Sequence, residues 1–443
     1  MATIKVPYGD AFVQFPIDDD KLLGIFNPPE ITPAPDEDLE IERAFDNPMG
    51  TVGLSDLIRG CRTLAIAIDD VTRPTPCASI LPPLLSRAEK AGIRRTDIKI
   101  IAALGSHRKM TDGELRERCG PEVFDDYEVL NHGYDDPSEL KFLQARKIPI
   151  WMNRHFLEAD LKIGIGYVVP HCNAGWSGGS KIVLPGLSGA ETVTKMHLHG
   201  VNEVGSILGR TENPLRALMD YCAKKVGLNA VFNVVLKGRS IVKAFYGHHA
   251  DVLRAGAREA RAAYGSRIPR KADITISTAY PFDKYDFWQA DRAVASADMT
   301  TRKGGGIIVV SPFHEGVSPS HPEFCKLLPY SPKEVNAMIE DGEVDDDMAG
   351  AAAIHLGTFR LTKKIAIVSE GIGPKMAEEM GFYGFKTVEE ALETMYREIR
   401  PCDKITILPQ GGVVLPILRP AKVGDQPTRA QYEAPVANIR GCL

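Results

Sequence analysis

The stretch 63-TLAIAIDD-70 is an unbroken run of small and branched apolar residues that stops on two acids. It does not alternate polar with apolar, as a half-exposed strand does, so it reads as a strand buried on both faces. Two further runs follow the same plan, 98-IKIIAALGSH-107 and 159-ADLKIGIGYVV-169, the second ending on Pro170 and His171. Helical segments lie between them, at 78–92 and from the acidic start of 111-TDGELRERCG-120. Buried strands alternating with helices, each strand closing on a polar cluster, predict a parallel sheet with functional loops at the strand carboxyl ends.

A second block of the same kind begins near residue 266. The runs 272-ADITISTAY-280, 304-GGGIIVVSP-312 and 363-KKIAIVSEG-371 are three more buried strands with helical segments between them. A chain of 443 residues exceeds what one core organises, so two domains are expected. The helical run 252-VLRAGAREARAAYG-265 and the basic 266-SRIPRKAD-273 mark the boundary. The expected architecture is two α/β domains, residues 1–265 and 266–443, with the active site in the cleft between them. The tail, about 405–443, is expected to pack back on the first domain or on the hinge. Upstream, short alternating patterns (4-IKVPY-8, 11-AFVQFP-16) precede a Pro- and Asp-rich loop that enters a helix, 27-NPPEITPAPDEDLEIERAFDNP-48.

Hydrophobic content of 44% and charged content of 25% describe an ordinary globular chain. The net charge of −5, with no basic stripe, argues against nucleic acid or an anionic membrane as partner. No run is long enough to span a bilayer, and the first residues lack a basic-then-apolar leader. The eight cysteines, at 61, 77, 119, 172, 222, 325, 402 and 442, form no CxxC pair. Free thiols in a cytoplasmic protein follow, and a structural zinc or an iron–sulfur site is disfavoured.

The candidate chemistry sits at three strand ends. In 69-DDVTRPTP-76, Asp70, Thr72 and Arg73 bring an acid, a hydroxyl and a guanidinium to one terminus, suited to phosphate or carboxylate, although a capped turn reads equally well. In 105-GSHRKMT-111, His107 follows a strand in a glycine loop, placed either for proton transfer or simply at the surface beside a cap at Thr111. The richest is 171-HCNAGWSGGSKIVLPG-186. There Ser177, Gly178, Gly179 and Ser180 could aim backbone amides at an anion as a nest does. P-loop spacing is missing, and so is GxGxxG. Lys181 leaves this loop into an apolar run, as a snorkelling side chain or as an activated amine. A helix through 190–200 would turn either His197 or His199 inward.

Taken together, DDVTRPTP, GSHRKMTDGEL and HCNAGWSGGSKIVLPG followed by His197 resemble the nickel-dependent lactate racemase family. The resemblance implies a nickel-pincer nucleotide, a nicotinate-derived mononucleotide holding Ni through two sulfur groups and a carbon. It implies a thioamide at Lys181, nickel ligation by His197, and a cofactor pocket including Asp70, Thr72, Ser177, Gly178 and Gly179. His107 and His171 would be the alternating acid and base on a small-molecule 2-hydroxy carboxylate, one on each side, during reversible hydride transfer. Enzymes that synthesise the cofactor would act upstream. In the second domain the family has tyrosine, glutamine and, three residues on, lysine. This chain has Trp288, Gln289 and Arg292. Arg292 and Arg73 are expected to hold the carboxylate, while Trp288 reshapes the side-chain pocket, so a substrate other than lactate is expected. The rival readings are a nicotinamide-dependent dehydrogenase, a zinc hydro-lyase or hydrolase built on His107, His171 and His197, and a non-catalytic cofactor-binding protein.

Overall fold

The computed structural model describes residues 1–200 and 207–418, so the end of the expected tail, with Cys442, lies outside the described residues. Two six-stranded sheets organise the chain. In the first, the strands run in the spatial order Ser240–Gly247, Ala230–Lys237, Leu161–Tyr167, Leu64–Asp69, Ile98–Ala103, Glu128–Asn131. All neighbours are parallel except the edge pair 230–237 and 240–247. The three apolar runs read from sequence occupy the middle, where helices cover both faces. Every residue of Leu64–Asp69 and of Leu161–Tyr167 is buried, which is why those runs do not alternate.

Strand order explains where the loops converge. From Leu64–Asp69 the chain adds Ile98–Ala103 on one side and Leu161–Tyr167 on the other. The connections therefore diverge at the carboxyl ends of those central strands, opening the crevice in which doubly wound sheets bind ligands. The second sheet repeats the device with all its pairs parallel, in the order Tyr383–Phe385, Lys364–Val368, Thr301–Val310, Ala272–Ser277, Ile405–Leu408, Leu22–Ile25. Its switch point lies between Ala272–Ser277 and Ile405–Leu408, and the two crevices face one another.

The sequence assigned residues 1–265 to the first unit, and the first 25 depart from that. Strands Ala2–Tyr8 and Ala11–Ile17 form an antiparallel hairpin, and Leu22–Ile25 extends the second sheet beside Ile405–Leu408. The physical reason is the hairpin's single apolar face. Ile4, Val6, Phe15 and Ile17 pack into one cluster with Ile274, Ile276, Ile308 and Val310 of the second sheet. The Pro-rich 27–36 then crosses to the first unit, where Ile41 and Phe45 of helix Glu37–Asp46 join its core. The return crossing comes after strand Gly265–Ile268, which pairs in parallel with Leu415–Leu418. That late strand brings Leu415 and Val413 into the first unit's core. Residues from all three crossings, Phe26, Ile268, Leu408 and Val414, meet in a small separate apolar cluster. No described helix is long and apolar enough to cross a membrane, and the seven described cysteines form no disulfide.

Phe15 is 1% exposed, so Phe15→Ala should cost roughly 3–5 kcal/mol. Amide exchange should speed up across Ala272–Ser277 and Thr301–Val310 and stay unchanged across Leu64–Asp69. Loosening of the first sheet instead would contradict this placement of the N-terminal strands.

Candidate active site

Leu64–Asp69 delivers two adjacent carboxylates, and the surroundings give them different tasks. Asp69 is held inside by Arg118, by the Thr75 hydroxyl at 2.5 Å and by the Cys77 thiol. Arg118, from helix Asp112–Cys119, also donates to the carbonyls of Asp69 at 3.0 Å and Arg73. Burial raises the Asp69 carboxyl above its ordinary range despite Arg118. Asp70 faces the other way. It accepts from the Thr72 amide at 2.8 Å and the Thr72 hydroxyl at 2.5 Å, and lies 2.7 Å from His107 Nδ1. Burial works against its charge, but His107, Arg73 and Thr72 outweigh it and hold the carboxyl well below the usual range. With Nδ1 committed to a carboxylate, His107 has Nε2 left for other chemistry.

The loop after Leu161–Tyr167 is shaped by one buried cation. Arg216, on helix Pro214–Val226, donates to the carbonyls of Ala174 at 3.5 Å, Trp176, and Gly178 at 3.1 Å, and to the Ser180 hydroxyl at 3.2 Å. Ser180 in turn donates to Asp220 at 2.6 Å. The Gly179 amide donates to Asn233 Oδ1 at 2.7 Å. Gly178 has φ +80°, and a Cβ there would come within 2.9 Å of that same Asn233 oxygen. The turn Gly179–Ile182 then presents Lys181.

These bonds take three amides out of the expected anion nest. The amides of Ser177, Gly179 and Lys181 already donate to Val169, Asn233 and Gly178, and the Ser180 hydroxyl is taken by Asp220. Such a loop needs glycine for its path. What it offers a ligand is side chains, notably the buried Ser177 hydroxyl, which has no partner.

One cavity, enclosing about 1040 Å³ with space open to solvent included, lies where the two crevices meet. His107, His171, Lys181, His197, Asp70 and Arg73 line it from the first unit, with Ser177 and Gly178. Trp288, Gln289 and Arg292 line it from the second, on the turn Phe287–Gln289 and helix Ala290–Thr300. Gly179 is absent from the lining and acts through the loop's path, while Thr72 borders an adjoining chamber. Of the two helix histidines, His197 reaches the cavity and His199 is exposed.

The cavity is rich in positive charge. Arg292 sits 4.3 Å and Arg73 5.6 Å from the centre of the Phe282 ring, and each has a buried Nη1 without a hydrogen-bond partner. Burial, then Arg73 and Arg292, bring the Lys181 amine down to about 7. Burial, then Lys181, Arg292 and Arg73, hold His171 well below its usual value. Burial, then Lys181, bring His197 down to about 3. Both imidazoles are therefore neutral at neutral pH. Among the described residues no three His, Cys, Asp or Glu side chains gather as a metal site, so the three-histidine zinc alternative lacks its ligand set.

Sequence reasoning missed several supports. Arg216 lies in an amphipathic helix and Arg118 in a short, strongly polar one, where an arginine normally marks the wet face. Asp291, between Gln289 and Arg292 in the chain, lines the cavity and lies 3.1 Å from His355 Nε2. His321 stacks on Trp288, with ring centroids 4.7 Å apart, and reaches the Ser106 carbonyl of the first unit at 3.3 Å.

Residues 8–209 match the model of the lactate racemase N-terminal domain, and residues 268–415 that of the lactate racemase C-terminal domain. The chain is 29% identical over 431 residues to a lactate racemase of Lactiplantibacillus plantarum, covering 94% of this chain and all of that one. It is 27% identical over 432 residues to a lactate racemase of Thermoanaerobacterium thermosaccharolyticum, covering 94% and 99%. The solved lactate racemase apoprotein from T. thermosaccharolyticum superposes with a TM-score of 0.83 at 26% identity, over 94% of this chain and 100% of that one. A crystal structure of a Thermotoga maritima protein shares the fold, with a TM-score of 0.67 at 19% identity over 87% and 99%.

The Lys181 shift has a definite sign. Between about 7 and the ordinary lysine value of 10.5 the unfolded chain binds a proton that the folded one does not, so stability rises with pH across that window. In protein unmodified at Lys181, Lys181→Met should flatten the rise in Tm between pH 7 and 9, and should be the more stable form at pH 7. Identical pH profiles for the two proteins would show that the amine is not depressed.

Proposed function

We propose that this chain, which belongs to the lactate racemase family, inverts C2 of a small 2-hydroxy acid, with His107 and His171 as the acid–base pair. Family membership carries racemase activity; the broader acid class and the residue roles are our reading. The observation that carries it is a pair of guanidinium groups, Arg73 and Arg292, each with a buried Nη1 that has no hydrogen-bond partner, in a cavity also lined by two histidines. Buried donors without acceptors are costly, and a carboxylate that pairs with both groups is the natural relief. Because Arg73 comes from one unit and Arg292 from the other, binding the carboxylate also favours a closed cleft, which keeps water out.

The histidines suit opposite proton transfers. His171 is neutral; its Nδ1 accepts from the Asn173 amide at 3.2 Å, so the ring must give up that bond, with its hydrogen moved to Nδ1, before Nε2 can take the C2 hydroxyl proton. His107, braced at Nδ1 by the Asp70 carboxylate, can take or return a proton at Nε2 while Asp70 stabilises the resulting cation. Inversion needs such a group on each face of the carbon. Gln289 is placed to orient the carboxylate beside Arg292.

The cavity also suits the nickel-pincer nucleotide that the sequence motifs imply. A neutral lysine amine can be joined through a thioamide, which Lys181 supplies, and a neutral imidazole can ligate nickel, which His197 supplies. The unpartnered Ser177 hydroxyl, Asn173 Oδ1 and Tyr167 hydroxyl are buried polar atoms that a polar ligand would satisfy. Asp70 and Gly178 line the same cavity, Thr72 bonds to Asp70 from the adjoining chamber, and Gly179 sets the loop's path. When bound, the group supplies a reversible acceptor for the C2 hydrogen and its electron pair, which lets the substrate pass through a planar 2-keto acid.

Enzyme made in a cell that synthesises the cofactor should invert at least one chiral 2-hydroxy acid. His107→Ala and His171→Ala should each slow inversion by roughly 100- to 10,000-fold. Lys181→Ala should lose the mass adduct seen in the active protein. Arg292→Ala should keep the adduct and raise KM strongly. Near wild-type rates in both histidine variants would sink the two-base scheme.

A further inference from the structure

We propose that the substrate is polyhydroxylated, of the sugar-acid class, its chain running from the Arg73–Arg292 pair past His107 into a second chamber where Asp286 receives its hydroxyls. This rests on the reading of the main cavity as the site of 2-hydroxy acid inversion. The second chamber adjoins the first, and Asp70, Ser106, His107, Trp288 and Gln289 line both. It encloses about 590 Å³, again with space open to solvent included. A three-carbon acid held at the arginines would leave it empty.

The chemistry of the lining selects among larger acids. A second carboxylate is disfavoured. The chamber's cationic side chains are already engaged: Arg108 with Glu114 at 2.8 and 2.9 Å, His321 with Asp346 at 2.7 Å, and His107 with Asp70 at 2.7 Å. Against them stand Asp286 and Glu315, both in the lining. A purely apolar tail is disfavoured too, because Asp286 Oδ1 is buried with no hydrogen-bond partner, and packing methyl or phenyl groups there would leave it so. Hydroxyl groups fit. They can donate to that oxygen, and the serines at 318 and 320 add exchangeable donors and acceptors beside it. Burial, opposed by His107 and reinforced by Glu315, brings the Asp286 carboxyl up to about 6. It can therefore accept from one hydroxyl or, when protonated, donate to another. Trp288, between the chambers, offers a broad surface for the carbon chain, as aromatic rings do at sugar sites.

The test uses holoenzyme and four acids: a six-carbon aldonate, lactate, malate and phenyllactate, each assayed for inversion at C2. The aldonate should exceed the other three in kcat/KM by at least tenfold. Asp286→Ala should narrow the aldonate-over-lactate preference at least tenfold, chiefly through the aldonate KM, and Asp286→Asn should restore part of it. The Lys181 mass adduct, measured on each variant, controls for folding and loading. Faster turnover of lactate, malate or phenyllactate than of the aldonate overturns the substrate class and leaves the racemase reading standing. So does an unchanged preference in Asp286→Ala. Failure to invert any acid by protein that carries the adduct overturns both.

Discussion

Carbonyls from Ala174, Trp176 and Gly178 converge on one buried guanidinium, and the rest of the site hangs from that contact. A loop that runs through the protein interior must pair its backbone, and this one has no strand long enough to do it. Arg216 takes the carbonyls instead. Burial, against the pull of Asp220, lowers its pKa to about 10, so it stays charged at neutral pH and keeps every bond. With the loop fixed, Lys181 and His171 emerge on the same cavity. An uncharged residue at 216 would leave several interior carbonyls without donors, so Arg216 is an anchor that no lysine, with its single ammonium, could replace.

Charge then does a second job. Arg73, Arg292 and Arg216 are three cations around Lys181 and His171, and they make additional positive charge there unfavourable. Burial and this field push the lysine amine and the His171 imidazole towards their neutral forms, and the Asn173 amide donates to His171 Nδ1 at 3.2 Å. The first unit's carboxylates bond elsewhere: Asp69 to Arg118 and Thr75, and Asp70 to Thr72 and His107, while the charge of Arg73 still acts on both.

Much of this was legible in sequence because function sits where buried strands end. An apolar run such as 63-TLAIAIDD-70 shows both the strand and the point at which side chains first reach a ligand. Thus Asp70, His107, His171 and Lys181, far apart in the chain, could be grouped before any coordinates. Less legible were the supports. Arg216 and Asn233 lie in elements whose patterns look like ordinary packing, and only the tertiary fold shows what they hold. In the glycine-rich loop, glycine reports freedom of path, and here that freedom lets the amides of Ser177 and Gly179 turn inward to Val169 and Asn233. The N-terminal hairpin was assigned by chain proximity, whereas its apolar face found the better-matched surface at the far end of the sequence.

That hairpin has a consequence for synthesis. Residues 1–25 are made well before the strands they cover, which through Val310 follow some 280 residues later. At about 5–20 residues per second the wait is roughly 15–60 s. Throughout it Ile4, Val6, Phe15 and Ile17 have no native surface to cover them, while the first sheet can already close. The nascent chain thus carries an unsheltered apolar ribbon during that interval, a natural target for a chaperone that holds extended hydrophobic segments until the second sheet arrives.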